Sequence, residues 1–278
     1  MKSYKLISSA ATFLTQMQKN KRITLYKYIP LKTDSNYAIN NLKKGQITAT
    51  KISKLRQYYP DEMIGSTNPP LLSSQLNSQE CSTLTKWQDE FLGDNMFITC
   101  FTQNNNFKNG AKLKAYGQEI ILAEYNYHDI VKRMKFNALL FKLCCIPAIV
   151  SYYNLFDNSA NYGLALSYII DLINNGVDEN TANEKAVEKY GNESLLLPLI
   201  RKDSSFLWEN EVRFLYKYIP TYNPGISRKD EIYPVVATCL YPTAIYYSSC
   251  FLSETSPRFE ELKEFTRTHR IPLIKNNN

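Results

Sequence analysis

Residues 208–220 read WENEVRFLYKYIP, and this stretch indicates how the chain folds. β-Branched and aromatic residues dominate it, so we predict one long strand that ends at the proline. Because alternate residues of a strand share a face, we expect Glu209, Glu211 and Arg213 on one side. The residues expected on the other side are Trp208, Asn210, Val212 and Phe214.

Two carboxylates and a guanidinium on one face are unusual for a core strand, because a buried charge needs a partner or a ligand. Two interpretations are open. Either the charges form a cross-strand ladder of salt bridges on a solvated face, or they line a polar cleft. In a cleft, one carboxylate would orient a sugar hydroxyl or stabilise a cation, and Arg213 would hold a glutamate in place.

The hexapeptide LYKYIP occurs twice, at 25–30 and at 215–220. The residues that follow each copy, LKTDSNYAINN and TYNPGISRKDE, do not match, so we reject an internal duplication. We interpret the copies as two strands with similar requirements, and a position as neighbours in one sheet is open. In the first copy Tyr26 and Tyr28 share a face. Lys27 lies on the other face, where its amine would either reach the edge of the sheet or meet a ligand anion.

The remaining patterns mix strands and helices without regular βαβ alternation. Further strands are predicted over 22–30, 46–49, 95–103, 119–127, 147–155, 234–240 and 243–252. Helices are predicted after residue 35, over 128–144, over 161–176, from 181 and from 257. We therefore predict an α+β fold for a single domain over residues 21–278, with a largely antiparallel sheet flanked by helices.

Capping residues predict several element boundaries. Gly45 and Gly176 are expected to end helices, because glycine adopts the left-handed conformation at little cost. Thr181 and Glu184 match a capping box, and Ser256 precedes Pro257 as an N-cap does. Pro30 is predicted to end the first strand.

Charge is distributed unevenly along the chain. Residues 1–60 contain twelve Lys and Arg but one acidic residue, Asp34, whereas the remainder has a small acidic excess. Such a segment suits nucleic acid or a phosphate-bearing ligand, or it is an ordinary solvated surface. Residues 1–20 are predicted to form an amphipathic helix. Residues 57–80, rich in Pro, Ser and Asn, are predicted to be a loop-rich insertion that serves as a lid or as a plain surface loop.

We expect neither a metal site nor a membrane partner. The six cysteines form no CxxC pair, and only His128 and His269 could complete a zinc site. Isolated cysteines in apolar runs are typical of a reducing compartment, which predicts a cytoplasmic protein. The most apolar stretch, 139–156, is interrupted by Lys142 and Pro147 and is better interpreted as core.

The order of motifs resembles the bacterial domain-of-unknown-function family 2971, over nearly the whole chain. LYKY (25–28) is followed by NNLKKGQITAT (40–50), and ITCFT (98–102) is similar to the family's CFS strand. AKLKAYGQEIILAEY (111–125) resembles its G-x-x-L-x-Y segment. KDSSFLWENEVRF (202–214) resembles its K-x-x-x-F-x-x-E-x-E-x-R signature, of which the E-x-E-x-R element is the most specific of these matches.

That layout in turn resembles the ADP-ribosyltransferases, which have a tyrosine-rich first strand, a Ser/Thr-bearing middle strand and a late E-x-E strand in a split sheet. The resemblance implies NAD as a substrate. It implies that Glu211 holds the nicotinamide ribose and stabilises an oxocarbenium-like transition state, while Glu209 positions the acceptor and Arg213 holds a glutamate. The dinucleotide-binding residues it implies are Tyr26, Lys27, Tyr28, Tyr116 and Thr102, the last as a support for Glu211.

The chain also departs from the family pattern. Ile29 stands where the family has arginine, Thr102 where it has serine, and Tyr116 is what remains of a W-A-H-Y motif. Three hypotheses follow. The first is an ADP-ribosyltransferase or NAD glycohydrolase, a bacterial toxin or phage-defence effector with an unknown macromolecular target. The second is a non-catalytic nucleic-acid- or protein-binding defence module that uses residues 1–60. The third is a catalytically inactive structural member.

Overall fold

A computed structural model describes ten parts of the chain: residues 23–32, 37–58, 96–108, 113, 118–141, 143–149, 151–153, 168–190, 201–218 and 235–276. The helix predicted over 1–20, residues 59–80 of the predicted insertion, and Tyr116 lie outside these ranges.

The described elements alternate irregularly along the chain. The strands are β1 (Thr24–Lys32), β2 (Ile47–Thr48), β3 (Thr50–Lys51), β4 (Met96–Thr102), β5 (Gln118–Asn126), β6 (Leu143–Ile149), β7 (Ser151–Tyr153), β8 (Arg201–Asp203), β9 (Glu211–Tyr218), β10 (Val235–Ala237), β11 (Ala244–Tyr247) and β12 (Leu273–Lys275). The α-helices are α1 (Tyr37–Lys43), α2 (Ile52–Tyr58), α3 (Tyr127–Phe141), α4 (Glu179–Tyr190) and α5 (Pro257–His269). Residues 168–174 are also helical, and Ser204–Glu209 form a 3₁₀ helix.

Eight of the described strands form one sheet in the order β12-β11-β5-β1-β4-β9-β6, with β3 also paired to β4. Neighbours in this sheet are antiparallel except β11 and β12, which run parallel. Two further pairs, β2 with β10 and β7 with β8, are separate. The predicted α+β class with a largely antiparallel sheet is therefore confirmed. The first LYKYIP copy lies in β1, and residues 215–218 of the second lie in β9 of the same sheet. The two strands are not neighbours, because β4 lies between them.

The sheet has two chemically different faces. The core face is the one that carries Leu25, Phe101 and Phe214, and it packs against side chains of α1, α3 and α5 in the largest buried cluster. The tyrosine face is the opposite one. It carries Tyr26 and Tyr28, which pack with Phe107 and Trp208 in a smaller cluster. Because helices cover the core face, we expect the functional side chains on the tyrosine face.

The strand predicted over 208–220 begins three residues later than expected. Trp208 and Glu209 belong to the 3₁₀ helix, and Asn210 has a left-handed φ of 44°, which breaks the strand alternation. Val212 and Phe214 point to the core face as predicted. Trp208, predicted beside them, instead packs in the cluster on the tyrosine face.

The first strand does not stop at Pro30 but continues to Lys32. A proline interrupts a sheet only where its missing N–H would have been paired. β1 is in register with β4 at Tyr26 and Thr102, and further along β4 the position opposite Ile98 is taken by Thr50 of β3. Pro30 itself stays in register with Ile120 of β5, and the pairing continues to Lys32 opposite Gln118.

Most predicted helix ends are confirmed. Gly45 and Gly176 follow helices with φ of 59° and 82°, and Ser256 accepts a hydrogen bond from the Arg258 N–H ahead of α5. The predicted capping box is wrong. Asp178 Oδ1 accepts from the Thr181 N–H at 3.0 Å, so α4 begins two residues earlier. Likewise β6 begins at Leu143, within the predicted helix.

Replacing Gly45 with alanine is expected to destabilise the fold by about 1–2 kcal/mol, because a left-handed φ is strained for residues with a Cβ. The new Cβ would also lie 2.8 Å from Cζ of Tyr241, whose ring must move outward. Gly176→Ala is the matched control, since its φ of 82° is also positive but nothing lies within 4 Å of the added atom. Urea unfolding of both variants measures the difference. Equal losses would mean that the Tyr241 ring moves at no cost.

Candidate functional site

Four side chains form a row across four adjacent strands of the tyrosine face. Glu124 of β5 is opposite Tyr26 of β1, Tyr26 is opposite Thr102 of β4, and Thr102 is opposite Glu211 of β9. Residues in register on neighbouring strands share a face and have Cβ atoms about 5 Å apart. The fold therefore brings together three predicted site residues, Tyr26, Thr102 and Glu211, and adds Glu124 to them.

Glu211 belongs to a buried network that we call the tetrad: Lys202, Glu209, Glu211 and Arg213. Arg213 holds the Glu211 carboxylate with two hydrogen bonds, from Nε to Oε1 at 3.0 Å and from Nη2 to Oε2 at 3.1 Å. Lys202 Nζ lies 2.5 Å from Glu209 Oε2 and 3.4 Å from Glu211 Oε2. Two cations and two anions give the tetrad no net formal charge.

The tetrad lies inside the protein. Arg213 is fully buried, and Glu209 and Glu211 are 7% and 5% exposed. The prediction of a salt-bridge ladder on a solvated face is therefore wrong. β9 places Glu211 and Arg213 on one face, and the turn at Asn210 with the 3₁₀ helix brings Glu209 back to the Lys202 amine. Glu209 is therefore placed in the tetrad by the 3₁₀ helix and not by the strand alternation from which its position was predicted.

The electrostatics of the tetrad keep Glu211 ionised. Burial alone would raise the pKa of its carboxyl, but the charges of Arg213 and Lys202 outweigh burial and lower that pKa to about 2. A carboxylate of this kind is a poor general acid or base at neutral pH. It is suited instead to accepting hydrogen bonds and to stabilising positive charge. Burial, then the charge of Glu211, raises the pKa of Cys100 well above its usual value, so this neighbouring thiol is no thiolate nucleophile.

Thr102 fixes the start of β9 through the backbone. Its Oγ1 donates to the Glu209 carbonyl at 2.5 Å and accepts from the Asn104 N–H at 2.9 Å. The Asn104 side chain donates to the Trp208 carbonyl. Thr102 therefore supports the segment that carries both glutamates, through the backbone just before Glu211.

Lys27 lies on the face opposite Tyr26 and Tyr28, as the alternation predicts. Its Nζ donates to Thr99 Oγ1 at 3.2 Å and to the Cys100 carbonyl at 2.9 Å. Burial lowers the pKa of this amine, although the negative charge of Glu211 opposes the change. The fold consequently does not bring Lys27 together with the tyrosines as one ligand-binding group.

Tyr28 is anchored beside the tetrad. Its hydroxyl donates to the Asn106 carbonyl at 2.8 Å, and its ring packs edge-on against Phe107 at 6.3 Å. Burial and then the charge of Glu209 raise the pKa of Tyr28 to about 12. Tyr28 thus supports the tyrosine face, and both Tyr26 and Tyr28 are half-buried.

A second polar group, the Glu124 site, comprises Glu124, Tyr26, Thr243 and Tyr246. Thr243 Oγ1 donates to Glu124 Oε1 at 2.8 Å, and the Tyr246 hydroxyl donates to Oε2 at 2.8 Å. The rings of Tyr26 and Tyr246 meet edge-on with centroids 6.1 Å apart. Sequence reasoning missed this site, although a single glutamate within the apolar run IILAEY was a usable signal.

Lys202 was not predicted as a site residue, although it is the first residue of the K-x-x-x-F-x-x-E-x-E-x-R element that contains Glu209, Glu211 and Arg213. Within the described ranges, no group of three or more His, Cys, Asp and Glu side chains could hold a metal ion. Cys100, Cys239 and Cys250 carry free thiols. Among the described helices, none combines the length and the apolar character needed to cross a membrane.

Comparisons of the chain with protein-family models, curated proteins and solved structures found no match. The resemblances to family 2971 and to the ADP-ribosyltransferases stay predictions.

Proposed function

We propose that the protein is a cytoplasmic bacterial effector, a toxin or a phage-defence protein, that acts on NAD as an ADP-ribosyltransferase or NAD glycohydrolase. The observation that carries the proposal is the row of Tyr26, Thr102 and Glu211 on one face of the sheet. A tyrosine on the first strand, a hydroxyl on the middle strand and a late glutamate are the groups that the ADP-ribosyltransferase resemblance implies.

The proposed reaction breaks the bond between the nicotinamide nitrogen and C1′ of its ribose. Nicotinamide leaves with the electron pair, and C1′ develops oxocarbenium character. A hydroxyl or amine of the target, or water, then bonds to C1′ and loses a proton. Glu211 accepts a hydrogen bond from the ribose and stabilises the positive charge. Its contact with Lys202, 3.4 Å long, is the one that a ribose hydroxyl would replace.

The test is NAD consumption and transfer of label from NAD in a bacterial lysate. We expect the wild type to release nicotinamide and Glu211→Gln to be at least about a hundredfold slower, because a single preorganised group in a buried site is worth that much. The double variant Arg213→Met/Glu211→Gln removes the same carboxylate and keeps the charge of the tetrad balanced. Glu264→Gln, which alters an exposed pair with Arg267, is the control and should retain full activity.

Folding of every variant is checked by circular dichroism, and NAD binding to the wild type by calorimetry. A folded wild type that does not consume NAD would overturn the proposed reaction, whether or not it binds NAD. So would undiminished turnover in a folded Glu211→Gln variant.

A second candidate, the non-catalytic nucleic-acid- or protein-binding module, is favoured by the burial of the tetrad, because its ion pairs already engage Glu211. Two basic side chains of residues 1–60 are engaged within the protein and do not support nucleic-acid binding. Lys27 hydrogen-bonds inside the sheet, and Lys43 pairs with Glu261 at 2.5 Å. This candidate predicts that a labelled single-stranded oligonucleotide binds and is released steeply as salt rises. Absence of oligonucleotide binding at low salt would overturn the nucleic-acid-binding form of this candidate.

A further inference from the structure

Glu124 is the carboxylate of the row that lies closer to solvent. Glu211, at the other end of the row, is 5% exposed and held by Arg213 and Lys202. Glu124 is only half-buried, and Thr243 beside it is exposed. A ligand that approaches the tyrosine face therefore meets Glu124 before it meets the tetrad.

The groups around Glu124 in the described part of the chain are hydroxyl donors. Thr243 Oγ1 and the Tyr246 hydroxyl donate to different carboxylate oxygens, each at 2.8 Å. A carboxylate has about four acceptor positions, and the Tyr26 hydroxyl also hydrogen-bonds to Glu124, so capacity remains for one further donor. The exposed Thr243 hydroxyl can also rotate away. This arrangement is suited to a ligand that presents two adjacent hydroxyl groups.

Aromatic rings flank the same carboxylate. Tyr26 and Tyr246 are both half-buried, and their rings are inclined at 66° with centroids 6.1 Å apart. Burial and the hydrogen bond to Glu124 raise the pKa of Tyr246 to about 12, so its phenol stays neutral and remains a donor. Such rings offer a stacking surface for a flat base. The side-chain amide of Asn105, which hydrogen-bonds Tyr26, could pair with polar atoms on the edge of a base.

We propose that Glu124, Tyr26 and Tyr246 form a nucleoside subsite, in which ribose hydroxyls donate to Glu124 and the base packs against the tyrosine rings. The negative charge of Glu124 disfavours a phosphate at the same position. If the function proposed above is correct, on which this step rests, the occupant is the adenosine end of NAD. Glu124 and Glu211 lie three strand spacings apart, about 14 Å, so each ribose of the dinucleotide would meet its own carboxylate.

The experiment measures binding of adenosine to the full chain by calorimetry. We expect the wild type to bind, and Glu124→Gln to bind at least about tenfold more weakly, because hydrogen bonds to a charged acceptor are lost. Tyr246→Phe should weaken binding less. Glu254→Gln is the matched control. Glu254 also accepts from a tyrosine, Tyr247 at 3.1 Å, but belongs to a different site, so its variant should bind as the wild type does.

The outcomes separate this inference from the proposed enzymatic activity. Adenosine binding that depends on Glu124, in a protein that does not consume NAD, would support the subsite and overturn the NAD chemistry alone. NAD turnover with an unchanged KM in Glu124→Gln, or with no adenosine binding, would overturn the subsite alone. Binding of tetramethylammonium in place of adenosine would also overturn it, because the rings and carboxylate would then recognise a cation.

Discussion

Arg213→Met is expected to destabilise the protein by about 3–5 kcal/mol, because it leaves an uncompensated charge in the interior. Arg213 is fully buried and makes two hydrogen bonds to Glu211. Without it, within the tetrad one cation, Lys202, would face two buried carboxylates. Methionine fills much of the same volume, so the loss reports charge and hydrogen bonding more than a cavity. Urea unfolding followed by circular dichroism measures the change.

A double-mutant cycle tests whether the charge balance of the tetrad causes this loss. Glu211→Gln alone leaves an excess positive charge and is also expected to destabilise. The double variant Arg213→Met/Glu211→Gln leaves Lys202 paired with Glu209, so it should lose less than the sum of the single variants. The control is Arg267→Met in an exposed pair on α5, where a loss below about 1 kcal/mol is expected. Strictly additive losses would contradict the balance argument.

Local alternation predicted one part of the tetrad correctly and could not predict its burial. Glu211 and Arg213 are two residues apart in a strand, so their common face follows from strand geometry alone. Whether that face meets water depends on Lys202 and on the 3₁₀ helix that places Glu209 against it. Those residues precede the strand, and the left-handed Asn210 that redirects the chain is not signalled by the hydrophobic pattern. The sequence therefore indicated the ion pair but not its setting.

For the row on the tyrosine face too, the sequence predicts which side chains share a face but not which neighbours they have across the sheet. The sequence predicts that Tyr26 and Tyr28 share a face and that Lys27 does not, because this needs only the two-residue period. That Tyr26 lies between Glu124 and Thr102 depends on strand order and register, which are long-range properties. A composition-based argument could select tyrosines and glutamates as candidates. It could not decide that Glu124 is the carboxylate that lies beside Tyr26.

Acid is expected to weaken the protein through Glu211. Its pKa is about 2 in the folded protein and 4.5 as a reference for the unfolded chain. Since the folded pKa is the lower one, the carboxylate stabilises the fold fully above pH 4.5, and this contribution is lost as pH falls toward 2. The shift corresponds to about 3 kcal/mol, of which about 2 kcal/mol is lost by pH 3. Urea unfolding at pH 7, 5, 4 and 3 measures the loss.

The charge-balanced double variant Arg213→Met/Glu211→Gln is the control for this pH dependence, because it keeps every other carboxylate of the chain. We expect the wild type to lose about 2 kcal/mol more than this variant between pH 5 and pH 3. Exposed carboxylates such as Glu264 remain in both proteins, so their contributions cancel in the comparison. Parallel pH profiles would mean that Glu211 titrates normally in the folded state. The buried ion pair with Arg213 would then hold its carboxylate no more tightly than water does, and the role proposed for Glu211 as a permanently charged group would fail with it.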